Sequence, residues 1–323
     1  VRTEGGPNLA KTVEFLVLAK VSEMVKKSLS FLAAALLAAA IGAPQAGCVS
    51  TYARVITAVE ARDAHVRDDL DSIVDSVHCV RTVAEYRLDG APEGAPTERR
   101  VGHGTAFAYA YHDGYTYLVT NAHVVDDPDQ ITDVELVPGP GGLAIVINTY
   151  TKFSERTALV ADANDSNEAD DIVVEEVAKD AELDIAIVRT PQRLSVSGSY
   201  VADRSITPHV GEEVYVVGYP RGRFSAVTRG IVSHPDYFDP EDNEHLDVID
   251  ITSTFGNSGS PYFVRRGDQL YWAGIMGQIM TYRNTPVTLF TLGTPIRTFA
   301  DLLDRTEPAV EASDAGADGC EDD

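Results

Sequence analysis

From about Cys79 to Pro295 the chain is a succession of short runs rich in Val, Ile, Tyr and Thr, broken repeatedly by Gly, Pro, Asp and Asn. Runs of that length and composition read as strands, and residues 116–120, 143–147, 214–217 and 246–251 are clear examples. No helical pattern alternates with them, so a doubly wound parallel sheet is not expected. The pattern predicts an all-β fold, an antiparallel sandwich or barrel. No internal repeat is evident, although residues 80–190 and 200–295 form two strand-rich halves of similar size.

The flanks read differently. Residues 24–48 run from Met24-Val25-Lys26-Lys27 through an apolar stretch, residues 29–43, to small residues and Cys48, the order of a secretory signal peptide. The stretch is shorter than the ~20 residues a spanning helix needs. Gln45-Ala46-Gly47-Cys48 resembles a bacterial lipobox apart from Gln45, so Cys48 is a candidate lipidation site, with a plainly secreted protein as the alternative. Residues 1–23 are upstream sequence. Residues 49–69 are expected to form a helical lead-in or stalk, because Val55, Val59, Val66, Leu70, Ile73, Val74 and Val77 recur at helical spacing. A last helix is signalled by Thr294, Pro295 and the apolar face Ile296, Phe299, Leu302 and Leu303. An acidic tail, expected to be disordered, follows over 306–323.

Twenty-six basic against fifty acidic residues give a net charge of −24, which repels polyphosphate, so nucleic acid is not an expected partner. Without residues 1–48 the charge would be −26. The three cysteines, Cys48, Cys79 and Cys320, lack zinc-site spacing. If Cys48 carries lipid, Cys79 and Cys320 are left as an even pair whose bonding stays open. The polar stretch over 162–171 lacks the glycine and spacing of an EF-hand and is expected to be a surface loop.

Three segments carry candidate chemistry. In Phe255-Gly256-Asn257-Ser258-Gly259-Ser260 a serine flanked by glycines can project its hydroxyl while the Gly256 and Ser258 N–H groups face an oxyanion. In Thr120-Asn121-Ala122-His123 a histidine follows an apolar strand, and in Leu183-Asp184-Ile185-Ala186-Ile187-Val188 a carboxylate leads into an apolar run, where an imidazole N–H is a fitting donor. Taken singly, each has an ordinary alternative: a turn, a satisfied core histidine, a strand-end cap.

Together with Gly102-His103-Gly104-Thr105-Ala106-Phe107, these motifs occur in the order His, Asp, Ser, and residues 70–305 resemble the trypsin-like serine proteases of the chymotrypsin fold. The nearest likeness is to the HtrA/Deg-type and glutamyl-endopeptidase-like branches, without a PDZ domain. Alpha/beta-hydrolases and subtilisins place their triads in other orders. The resemblance implies two antiparallel six-stranded β-barrels, with His123 and Asp184 from the first and Ser258 from the second. It implies an exported endopeptidase, periplasmic, envelope-bound or extracellular, acting on protein or peptide substrates with no metal or organic cofactor. A silent pseudoprotease serving as an envelope binding module is the alternative. Thr252, Ser253, Gly274 and Met276 are the expected pocket residues; Met276 stands where glutamyl endopeptidases carry a histidine, so a small or medium apolar residue is expected before the cut.

Overall fold

A computed structural model describes residues 63–92, 94–139, 142–164, 169–240, 243–282 and 285–306, all within one compact unit, Ala61–Asp323. The signal segment, Cys48, Cys320 and the acidic tail beyond residue 306 lie outside the described residues.

A helix over residues 63–74, α1, opens this body. Val66 and Ile73 are buried in the main core and Leu70 and Val74 pack against it, so the helix belongs to the folded unit, and the expected lead-in boundary at residue 69 falls inside it. Strands β1 (Val77–Leu88), β2 (Thr97–His112) and β3 (Tyr115–Thr120) follow, then a single helical turn, α2 (Ala122–Val125). Next come β4 (Gln130–Gly139), β5 (Gly142–Val160), β6 (Ile172–Val173), β7 (Glu175–Asp180) and β8 (Ile185–Thr190). The second half holds β9 (Glu213–Gly218), a 3-10 turn (Pro220–Gly222), β10 (Ala226–Asp239), β11 (Glu244–Asp250), β12 (Pro261–Arg266), β13 (Gln269–Tyr282) and β14 (Thr285–Pro295). Helix α3 (Ile296–Thr306) closes it.

The second half is a closed barrel in the order β10-β11-β14-β13-β12-β9. The first is an eight-stranded antiparallel sheet, β4-β5-β1-β2-β3-β8-β7 with β6 on β5, and its hydrogen-bonded path does not close. Strand β5 explains this difference from the expected six-stranded barrel. Residues 150–160 pair with β1, while residues 142–151 pair with β4, which therefore extends an arm instead of meeting β7.

The core joins both halves. Phe107 of β2 meets the Trp272 ring edge-on at 5.1 Å and the Phe263 ring at 5.8 Å, and Trp272 meets Phe299 of α3 at 6.2 Å. All four side chains are almost fully buried. Edge-to-face packing of this kind adds to the burial of large apolar area and fixes the two sheets against each other.

Candidate active site

His123 sits on α2, the turn that ends β3, where Ala122, Val124 and Val125 are buried and leave the imidazole on the outer side. Asp184 is the last residue before β8, at φ 52, a left-handed conformation that costs a residue with a Cβ. The preceding turn holds it there: Asp180 Oδ1 accepts from the Glu182 N–H at 3.1 Å and the Leu183 N–H at 3.0 Å. Its own carbonyl accepts from Ala122 N at 3.1 Å and Asn121 Nδ2 at 2.8 Å, which locks the two segments together. The carboxylate then engages His123 twice. Oδ1 accepts from the His123 backbone N–H at 2.9 Å and Oδ2 lies 2.6 Å from Nδ1. A carboxylate at Nδ1 fixes the tautomer that leaves Nε2 free to take a proton.

Ser258 lies between β11 and β12, in a turn built on two glycines. Gly256 has φ 96 and Gly259 has φ 84, both in the region that favours glycine. A Cβ on Gly259 would sit 2.0 Å from the Thr105 carbonyl, and one on Gly256 would sit 2.5 Å from the Tyr219 carbonyl. The turn is thus clasped by both halves: Thr105 N donates to the Ser258 carbonyl at 2.8 Å and Thr105 Oγ1 to the Gly256 carbonyl at 2.8 Å.

A trans peptide points its C=O and N–H in opposite directions. The Phe255 carbonyl accepts from Arg221 N at 2.7 Å, and the Asn257 carbonyl accepts from Ser260 N at 3.0 Å. The N–H groups of Gly256 and Ser258 are therefore turned away from those contacts, and among the described residues neither has an acceptor. Two free donors flank the Ser258 side chain, as an oxyanion site requires.

His123 and Ser258 line one cleft of about 410 Å³. Among the described residues no hydrogen bond joins Ser258 Oγ to the imidazole, a contact that commonly tightens only when substrate binds. Ser253 and Met276 also line the cleft. Thr252 is exposed and outside the lining, since the neighbouring residue of an extended segment faces the other way. Gly274 is outside it too: a Cβ there would press on the Tyr262 ring at 2.6 Å, so it serves core packing. Sequence reasoning missed Ile279 of β13 and Thr291 of β14, which complete the wall. Thr291 is 2% exposed and its Oγ1 has no partner, while Ser253 Oγ accepts from Asn257 Nδ2 at 3.3 Å. Apart from His123, no titratable side chain lines the cleft among the described residues.

Cys79 has no disulfide partner among the described residues, and burial pushes the pKa of its thiol up to about 12, which leaves it protonated and a poor nucleophile. Among the described residues no cluster of three His, Cys, Asp or Glu side chains could hold a metal ion. Asp171, in the loop first read as a surface segment, is instead clamped by Arg81 Nη2 at 2.8 and 2.6 Å, with both side chains nearly buried.

Comparison with known proteins bears on the family and the fold. The family profile described as a trypsin-like peptidase domain matches residues 104–270, a span that contains His123, Asp184 and Ser258. Among solved structures, an HtrA-type protease with a decapeptide is similar at 16% identity and a TM-score of 0.51, over 74% of this chain and 65% of that one. The chain thus spans just under two thirds of that protease, and at such identity the likeness concerns the fold. Over half its length the sequence fits the family profile, and the chain belongs to the trypsin-like peptidase family.

Proposed function

We propose that the protein is an exported serine endopeptidase using a Ser258–His123–Asp184 triad. The observation that carries the reading is that His123 and Ser258, far apart in sequence, line one cleft while Asp184 engages His123 Nδ1 at 2.6 Å. Ser258 Oγ attacks the scissile carbonyl while His123 Nε2 takes its proton; the imidazolium, stabilised by Asp184, then gives that proton to the leaving amine. Water, deprotonated by the same imidazole, releases the acyl group. The Gly256 and Ser258 amides would carry the oxyanion, at about 3 kcal/mol per donor.

The cleft suits an uncharged side chain before the cut. Met276 and Ile279 supply apolar walls, and Ser253 and Thr291 offer hydroxyls without a counter-charge for an acid or a base. Export rests on the signal-like residues 24–48, and lipid attachment at Cys48 is the form of anchorage that they suggest.

A fluorophosphonate probe tests the reading. The full chain labels at pH 7 to 8 and Ser258→Ala does not; folded protein that fails to label would instead support the silent scaffold.

A further inference from the structure

Hairpin β4–β5 carries an apolar face that the described body leaves open. Val134 pairs with Ile147 and Leu136 with Ile145, so the four side chains share one face. They are 59%, 65%, 65% and 66% exposed for Val134, Leu136, Ile147 and Ile145. Asp133, Glu135 and Asn148 lie on the other face, together with Val137 and Val146. Strand β1 reaches only as far as Tyr150, and just beyond it Asp89 N donates to the Thr149 carbonyl at 2.9 Å, so residues 145–148 pair with β4 alone. A two-stranded arm is marginal in water, and one with open edges and an apolar face needs a cover. Its charge pattern is also unusual: residues 136–151 contain no charged residue, in a chain of which 24% is charged.

We propose that this arm lies on a phospholipid bilayer, apolar face down at the boundary between headgroups and acyl chains. A protein partner fits less well. Binding energy at protein interfaces concentrates in Trp, Tyr and Arg, and this patch has only Val, Leu and Ile. Four aliphatic side chains cover a few hundred Å², short of the ~800 Å² per partner of a stable interface. A second copy meets the same shortfall and adds the repulsion of two molecules of charge −24. A bilayer surface asks for apolar area without charge, which Val134, Leu136, Ile145 and Ile147 supply, while Asp133, Glu135 and Asn148 on the other face stay in water. The unpaired edges keep the arm at the hydrated interface instead of spanning. The inference does not depend on the protease reading.

Site-specific fluorescence tests it. The chain has one tryptophan, Trp272, which is buried. Leu136→Trp and Ile147→Trp in the full chain place probes on the apolar face, and Asp133→Trp places one on the opposite face. With phosphatidylcholine vesicles carrying brominated acyl chains, the apolar-face probes are expected to shift to the blue and lose about half of their added emission, and the Asp133→Trp probe to lose much less. Equal quenching of all three probes, or none, overturns the proposal. So does a dimer in sedimentation that Leu136→Asp with Ile147→Asp abolishes while the probes stay unquenched, since the face would then be covered by a second copy.

Discussion

At the scale of single residues, the oxyanion donors depend on a group that sequence motifs do not mark. Arg221 has φ 57, a costly conformation for a residue with a Cβ, and there its backbone N–H holds the Phe255 carbonyl at 2.7 Å. Arg221→Gly keeps the amide and removes the strain, so activity should persist. Arg221→Pro removes the amide and forces φ near −65°, which frees the peptide before Gly256 to rotate. Loss of that donor should lower kcat about 10²- to 10³-fold with little change in KM, read by steady-state kinetics on a peptide substrate. Full activity in the proline variant would show that another contact orients the peptide. His123→Ala and Ser258→Ala should each remove nearly all turnover, and the double variant should lose little more, because the groups act as a unit. Additive losses in kcat would count against the assignment. The proposed triad of His123, Asp184 and Ser258 could be read from the sequence because the chemistry it would perform needs those side chains in family order. Arg221 was not, since a backbone N–H is common to every residue except proline. Thr291 escaped notice for a related reason: it lies in a strand whose apolar pattern announces only a core.

At the scale of elements, a buried polar cluster ties the second barrel to α3. Asp247 of β11 is fully buried; its Oδ2 accepts from Tyr262 Oη of β12 at 2.7 Å, and its Oδ1 from Arg297 Nη2 of α3 at 3.3 Å and from Asp236 N of β10 at 3.0 Å. Burial, and the neighbouring Asp247 charge, hold the Tyr262 phenol well above its usual pKa, so it remains a donor throughout the range in which the protein would work. Tyr262→Phe leaves Oδ2 unpaired in the core and should destabilise by about 1–3 kcal/mol. Asp247→Leu leaves the half-buried Arg297 with only Asp236 and should cost more, about 3–5 kcal/mol. Urea denaturation checks both, with an unchanged slope showing that the native state keeps its compactness. Of the elements bearing this cluster, β11 was legible from the run over 246–251 and α3 from Thr294, Pro295 and the apolar face that follows. The arm was not: the unbroken apolar run over 143–147 says that a strand is there but not what its faces meet, and the same run serves a core strand or a projecting hairpin.

At the scale of the whole molecule, stability should depend on pH through a group outside the cleft. His78 of β1 has a buried Nε2 with no partner, and burial alone pulls its pKa from 6.5 to about 4. The folded protein keeps this imidazole neutral, whereas the unfolded chain binds a proton below pH 6.5. Stability from this group is therefore complete above pH 6.5 and is lost progressively as pH falls to about 4, by about 3 kcal/mol in total. Paired carboxylates add their own losses at lower pH: Glu212, held by Arg266 and His209, is pulled down to about 2. The histidine contribution is isolated by comparison with His78→Gln, a neutral side chain of similar size. Denaturation at pH 7 and pH 4 should show the parent losing about 3 kcal/mol more than the variant between the two, while the pH 7 values stay close. Equal losses would mean that Nε2 finds water or a partner and protonates in place.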